Sequence, residues 1–148
     1  MTLAHPNPEH EVCMFTDASD KQWCLVVTQA PLEDIGQPLA IQRHQPLAFL
    51  SGSFSGAQIH WSLIEKDAFP IMEAIDRLRH SLVAEKPFRK FADHRNLMYV
   101  FDPVTRSTHF RKETADKLAR WASRLYEYQR VIEDISGEHN VWVHMLSR

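Results

Sequence analysis

The chain has 148 residues, of which 44% are hydrophobic and 24% charged, the balance of an ordinary globular domain with one core. No apolar run approaches the roughly 20 residues that a membrane helix needs, and residues 1–11 lack the pattern of a secretory signal. The two cysteines, Cys13 and Cys24, lie in apolar runs. We interpret them as buried thiols of an intracellular protein rather than as disulfide or metal-binding residues.

Charge is unevenly distributed along the chain. Residues 1–76 carry 3 basic and 10 acidic side chains, whereas residues 77–130 carry 13 basic and 6 acidic ones. This polarity suits a protein that gathers carboxylates in one place and presents a basic surface to a polyanion in another. A basic, solvated helix face explains the same charges equally well, so charge alone does not decide between the two.

The first third of the chain predicts a three-stranded antiparallel meander. Residues 11–17 form an apolar run that ends in Asp17, and residues 18–21 have the chemistry of a turn. A second β-rich run covers 22–28, which makes the pair a predicted hairpin. Residues 30–45 are interpreted as a loop, and residues 46–53 as the third strand.

Helices and two further strands are predicted after the meander. A helix begins near Ser62, where Ser62 and Glu65 match the capping-box pattern, and its apolar residues recur every three or four positions. Pro70 should kink this helix or remove a hydrogen bond. The remaining predicted elements are a strand at 88–92, a short helix at 94–101, a long helix at 113–128, a strand at 129–135 and a last helix after position 140.

This order of elements predicts an α/β fold. It implies a five-stranded mixed sheet, in which a three-strand antiparallel meander is followed by two parallel strands, with helices on the faces of the sheet. Residues 1–10 are interpreted as a tail or connection remnant, and residues 11–148 as the domain.

Three carboxylates stand where this fold would bring them together. Asp17 ends the first strand, Asp93 follows the fourth, and Glu65 lies in the first turn of the long helix. If the first and fourth strands are parallel neighbours, their carboxyl ends meet at one edge of the sheet. Clustered carboxylates suit Mg²⁺, which prefers oxygen ligands. Each acid could instead cap a turn or a helix, and for each residue considered alone this structural role is favoured.

Five sequence motifs, taken together, outweigh these single-residue explanations. They are FTDASD at 15–20, PLAFLSGS at 46–53, IHWSLIEK at 59–66, FADHRNL at 91–97 and GEHNVWVHMLSR at 137–148. In order and spacing they resemble the ribonuclease H domain of Ty3/gypsy-type retrotransposon polyproteins, from about residue 11 to the end of the chain. Each motif is weak alone, but five in series are specific.

The resemblance implies an RNase H-like fold, two Mg²⁺ (or Mn²⁺) ions and endonucleolytic hydrolysis of the RNA strand of an RNA–DNA hybrid. Asp17 would bridge both metals, Glu65 would hold one of them near the RNA, and Asp93 would bind the metal that activates water. The family's fourth acid should stand at position 144, where this chain has His144. The implied partners are the hybrid and the polymerase domain of the same polyprotein, in the cytoplasm, a virus-like particle or the nucleus.

His144 leaves an alternative open. A neutral imidazole brings no charge and is a softer ligand than Mg²⁺ prefers, although Mn²⁺ or Zn²⁺ would accept it. Ala92 and His139 also depart from the family pattern. The chain could therefore be an impaired RNase H-like domain that acts as a nucleic-acid-binding or structural module. Alternatively, His144 could act as a proton shuttle, since its ordinary pKa lies near neutrality.

The surface that would hold the hybrid is the basic middle segment. Ser19 and Arg95, each close to an acid, are the predicted substrate-binding residues. Phosphate contacts are predicted for Arg89, Lys90, Arg95, Arg111, Lys112, Lys117, Arg120 and Arg124. Trp61, Trp121 and Trp142 are interpreted as core residues rather than as rings that stack on bases.

Overall fold

A computed structural model describes residues 2–78, 88–92, 112–126 and 130–134. Its strands are β1 (His10–Ala18), β2 (Gln22–Pro31), β3 (Gln45–Ser53), β4 (Phe88–Ala92) and β5 (Arg130–Asp134), and its α-helices are α1 (Leu63–Leu78) and α2 (Lys112–Tyr126). Short 3-10 helices cover Leu32–Asp34, Leu39–Ile41 and Gly56–His60. The helices predicted at 94–101 and after position 140 lie outside the described residues. Within the described ranges, no helix has the length and apolarity needed to cross a membrane.

The sheet has the strand order β3-β2-β1-β4-β5. β2 pairs antiparallel with both β1 and β3, whereas β4 pairs in parallel with β1 and with β5. The predicted antiparallel meander and the α/β class are therefore confirmed. The hairpin strands are longer than predicted because their ladder continues to the pair His10 and Pro31.

Side chains on the two faces of the sheet belong to two separate apolar clusters, as expected when successive residues of a strand point to opposite faces. On one face, Val12 and Met14 of β1 pack with Ile64 and Ile71 of α1. On the other face, Cys13, Phe15, Cys24 and Val26 form the second cluster. Both cysteines are buried free thiols, which confirms the burial predicted for Cys13 and Cys24.

Pro70 lies inside α1 and does not end it. Proline has no N–H group, so one hydrogen bond of the helix is missing there, as the sequence predicts. The Pro70 side chain is buried together with Ile71 and Met72. Burial of an apolar side chain contributes about 1.5–3 kcal/mol, which offsets much of the ~3 kcal/mol that an interior proline costs.

An aromatic cluster joins α1 to α2. The ring of Trp61, just before α1, lies 5.3 Å from Phe69 and 5.6 Å from Trp121 of α2 in edge-on geometry. Phe69 also meets Trp23 of β2 at 5.7 Å. Trp61 and Trp121 are each partly buried. Their interpretation as packing residues is confirmed, whereas Trp142 lies outside the described residues.

Candidate active site

Asp17 lies at the carboxyl end of β1, near the middle of the sheet. Its register partner on β2 is Cys24. By the alternation of side chains along a strand, both residues lie on the face of the sheet that carries Phe15 and Val26. One carboxylate oxygen, Oδ1, accepts a hydrogen bond of 2.9 Å from the backbone N–H of Ala18. Burial, with a smaller contribution from the charge of Asp17, raises the pKa of Cys24 to about 11. Asp17 is thus a partly buried carboxylate held beside a neutral thiol.

The neighbour of β1 on its other side is β4, and the two strands are parallel. Their register pairs Val12 with Phe88 and Phe15 with Phe91. Parallel neighbours end at the same edge of a sheet, so the carboxyl end of β4 lies beside that of β1. Asp93 follows β4 in the sequence by one residue but lies outside the described residues, as do Arg95 and His144.

Glu65 has a different environment from the one the sequence predicts for a metal ligand. Its side chain is 5% exposed. Oε1 accepts hydrogen bonds from the hydroxyls of Ser62 at 2.9 Å and Thr114 at 2.8 Å, and Oε2 accepts one of 2.6 Å from Lys117 Nζ. The backbone N–H groups of Ser62 and Glu65 each lie 3.4 Å from the other residue's side-chain oxygen. The capping box is therefore formed, and it is extended by two residues of α2.

The pKa of Glu65 shows how strongly these contacts hold the charged form. Burial by itself would raise it, but hydrogen bonds from Lys117, Thr114 and Ser62 outweigh burial, and the net pKa is lower than usual. Both carboxylate oxygens are directed at α2 and the helix start. The described geometry favours a role for Glu65 in joining the two helices.

Asp67 is an acid of α1 that the sequence analysis passed over. It lies two residues after Glu65 and so about 200° around the helix from it. The side of α1 that faces α2 is marked by Glu65, by Phe69 and by Asp76, which pairs with Arg124. Asp67 therefore lies on the other flank, and it is partly buried. The sequence offered a signal for Asp67, since this acid directly follows the motif at 59–66 and lies two residues after Glu65.

Ser19 lies in the exposed turn between β1 and β2. Its hydroxyl accepts a hydrogen bond of 3.1 Å from the backbone N–H of Gln22, and its own N–H donates to the Gln22 carbonyl at 2.8 Å. These bonds shape the turn directly after Asp17. The structure therefore places Ser19 beside the predicted site, at a position that a ligand can reach.

Of the predicted phosphate-binding residues, the structure describes the side chains of four, all on α2. Lys117 is bound to Glu65, and its Nζ lies 4.2 Å from the ring centroid of Trp61. Arg124 pairs with Asp76 of α1. Lys112 and Arg120 are exposed. Half of this basic set therefore binds within the helix pair, and Lys112 and Arg120 remain as cations directed at solvent.

The described residues contain no group of three or more His, Cys, Asp or Glu side chains arranged to hold a metal ion. Two of the four predicted ligands, Asp93 and His144, lie outside them. The predicted set of Asp17, Glu65, Asp93 and His144 therefore stays a prediction. Within the described ranges only Asp17 is a partly buried acid at the predicted edge of the sheet.

Comparison with known proteins places the chain in a family. Residues 7–128 match the RNase H-like domain found in reverse transcriptases. The chain is 32% identical over 146 residues to the retrovirus-related Pol polyprotein from transposon 297 of Drosophila melanogaster, and 28% identical over 147 residues to the transposon Tf2-3 polyprotein of Schizosaccharomyces pombe. These alignments cover 99% of this chain but only 12% and 10% of those polyproteins, so the chain spans a small part of their length.

Solved structures support the same fold. A foamy viral protease-reverse transcriptase in complex with an RNA/DNA hybrid matches with a TM-score of 0.64 at 14% identity, over 91% of this chain and 16% of that one. RNase H1 from the archaeon Halobacterium salinarum matches with a TM-score of 0.61 at 8% identity, over 92% and 93% of the two chains. The sequence and fold comparisons agree with the resemblance in the five motifs. This chain belongs to the family of RNase H-like domains found in reverse transcriptases, of the kind carried by Ty3/gypsy-type transposon polyproteins.

Proposed function

We propose that the chain hydrolyses the RNA strand of an RNA–DNA hybrid, as the ribonuclease H domain of a retrotransposon reverse transcriptase. The observation that carries this proposal is the parallel pairing of β1 with β4, which sets Asp17 at the edge of the sheet where β4 also ends. Asp93 is the residue that follows β4. The complete catalytic fold would use the five-stranded mixed sheet that the order of elements predicts.

The donors at this edge fit a hard divalent cation. Asp17 offers carboxylate oxygen, the ligand type that Mg²⁺ and Mn²⁺ prefer, and its partial burial keeps the number of competing waters low. Glu65 fits poorly, because a metal would have to displace Lys117 from it. We therefore assign the carboxylate that α1 contributes to Asp67, beside the predicted Asp17, Asp93 and His144. Two bound ions would supply an activated water and stabilise the leaving oxygen.

The residues of this chain have distinct parts in the reaction. The Ala18 N–H donates to Oδ1 of Asp17 and so fixes the orientation of this carboxylate at the end of β1. Ser19 and Arg95 would position the RNA strand beside the acids. Lys112 and Arg120 would bind phosphates of the hybrid without reading its sequence. The adjoining polymerase domain of a polyprotein and an intracellular setting belong to the same proposal.

His144 motivates a second candidate function. If its imidazole cannot replace the family's acid, the domain would bind hybrid or the polymerase domain without cutting. The two candidates predict opposite results for one substitution. A His144→Asp variant should be markedly more active than the natural chain if His144 impairs the site, and no more active if His144 is a working ligand or proton shuttle.

The proposal is tested by incubating the purified chain with a labelled RNA–DNA hybrid in Mg²⁺ and, separately, in Mn²⁺. We expect cleavage of the RNA strand, and a loss of about a hundredfold or more in Asp17→Asn, because metal ions stabilise such transition states by several kcal/mol. Hybrid that stays intact with both ions, in the natural chain and in His144→Asp, would refute the nuclease.

Glu65→Gln and Asp67→Asn form a matched pair on one helix. Each exchanges a carboxylate for an amide of the same shape. We expect Asp67→Asn to lose cleavage. Glu65→Gln should keep most of the cleavage and lose stability. The reverse pattern would return the α1 ligand to Glu65.

A further inference from the structure

Lys66 is a fully buried ammonium that joins three parts of the fold. The residue is 1% exposed, although it lies near the start of α1 between Glu65 and Asp67. Its Nζ donates to the backbone carbonyl of Asp20 at 2.6 Å, to Asp20 Oδ1 at 2.7 Å and to the carbonyl of Ile59 at 3.0 Å. An ammonium has three N–H groups, and each has an acceptor here. Loss of these acceptors would leave a buried charge without hydrogen bonds, which costs free energy of folding.

The first of these partners belongs to the turn that follows Asp17. β1 ends at Ala18 and β2 begins at Gln22, so Asp20 lies at the tip of the hairpin. Two of the three bonds of Lys66 go to that one residue. Ser19 and Asp20 themselves are exposed. Lys66 is therefore a direct link from α1 to the turn.

The second partner belongs to the segment that leads into α1. Ile59 lies in the 3-10 helix Gly56–His60, and the Lys66 Nζ also lies 5.4 Å from the ring centroid of Phe54. The N–H of Phe54 in turn donates to the carbonyl of Lys21 at 2.9 Å, so this segment is also bonded to the hairpin turn. The turn, the entry to α1 and α1 itself thus meet around one cation.

We propose that Lys66 is a positioning residue for the nuclease reaction: it fixes the β1–β2 turn, and with it Asp17 and Ser19, against the acid-bearing start of α1. This inference rests on the proposed function. Acids that share metal ions must be held in register, and a misplacement of about 1 Å can cost about a hundredfold in rate. In this role Lys66 would hold the acids in their relative positions without itself contacting metal or substrate.

Three variants test this role. Lys66→Met removes the ammonium but keeps an unbranched side chain of similar length. Asp20→Ala removes one acceptor and leaves both carbonyls, and because the Asp20 side chain is 86% exposed, this variant should fold even if Lys66→Met does not. Lys21→Met is the matched control, because it makes the same change of charge at an exposed residue of the same turn.

We expect kcat for hybrid cleavage to fall about tenfold or more in Lys66→Met, while KM for the hybrid stays within about twofold. Asp20→Ala should fall in the same direction by a smaller factor, and Lys21→Met should keep kcat. Hydrogen exchange of the backbone amides at 19–22 should accelerate in Lys66→Met and Asp20→Ala only, since the turn loses its link to α1. A purely structural loss would lower the active fraction without selectively accelerating hydrogen exchange in the turn.

The failure of this inference differs from the failure of the proposed function. Intact hybrid in both metals, for the natural chain and for His144→Asp alike, would refute the nuclease, and Mn²⁺ affinity, measured by electron paramagnetic resonance, would then replace kcat as the readout. Unchanged turn exchange in a folded Lys66→Met variant, or equal losses of kcat in Lys66→Met and Lys21→Met, would overturn the positioning role. If Lys66→Met does not fold, unchanged exchange and kcat in Asp20→Ala would overturn it.

Discussion

Removing the Glu65 carboxylate should destabilise the fold more than the loss of an ordinary surface acid. The Glu65→Ala substitution deletes the acceptor of an ion pair from Lys117, of a hydrogen bond from the Thr114 hydroxyl, and of the capping interaction with Ser62. Such groups contribute about 1.5–3, about 1 and about 1 kcal/mol respectively. They share one carboxylate and are not additive. Lys117 is 23% exposed, so water can partly solvate it after the change, and we expect a loss of about 3 kcal/mol.

Urea unfolding followed by circular dichroism measures this loss. At a slope of about 2 kcal/mol per molar urea, 3 kcal/mol lowers the midpoint by about 1.5 M. Glu65→Gln keeps a neutral acceptor for the hydroxyls and should lose about half as much. Glu73→Ala is the control on the same helix, because its pair with Arg77 is more exposed and should contribute only about 0.3–0.5 kcal/mol.

The pH dependence follows from the lowered pKa of Glu65. A carboxylate whose pKa is lower in the folded state contributes stability that is present above its unfolded pKa of about 4.3 and is lost as pH falls through the folded value. The difference in free energy of unfolding between the natural chain and Glu65→Ala should therefore be largest near pH 7 and shrink below about pH 4. Equal midpoints for Glu65→Ala and Glu73→Ala at pH 7 would refute the assigned role of the Glu65–Lys117 pair.

Two other predictions concern stability. Burial lowers the pKa of His44 to about 4, so this residue stays neutral in the folded chain while the unfolded chain takes up a proton near pH 6.5. The free energy of unfolding should therefore fall as pH drops from about 6.5 to 4. Urea midpoints across that range should vary less in His44→Gln, and the same pH profile in the variant and the natural chain would contradict this reasoning. A Cβ added at Gly52 would meet the ring of Trp23 at 2.8 Å, whereas one added at Gly36 meets nothing within 4 Å. Gly52→Ala should therefore cost about 1–3 kcal/mol in a thermal melt and Gly36→Ala much less, and equal losses would argue against the clash.

The strands and helices of this chain could be predicted where their signals are local. The alternation of apolar residues, the turn at 18–21 and the capping pattern at Ser62 lie within a few residues of the elements they specify. Their ends were less predictable. β2 continues to Pro31 because His10 is there to pair with it, and that partner is 21 positions away. The 3-10 helices at 32–34 and 39–41 were predicted only as loop.

The candidate site divides in the same way. The position of Asp17 followed from the strand pattern, and its parallel neighbour β4 from the order of elements. The partners of Glu65 in α2 did not follow from the sequence, because Thr114 and Lys117 lie 49 and 52 positions later in the chain. Asp67 and Glu65 are near neighbours in the sequence but lie on opposite flanks of a helix. Only the direction of α2 distinguishes them.

The sequence by itself determined the family and the α/β class, since motif order and hydrophobic period are properties of the chain alone. The tertiary structure decided which side chains are already bound to one another. Lys66 is one basic residue among 17 in the sequence. It becomes a buried link only because the hairpin turn brings Asp20, 46 positions earlier in the sequence, within hydrogen-bonding distance of its Nζ. A buried charge needs its partners within hydrogen-bonding distance, and packing alone brings those partners together.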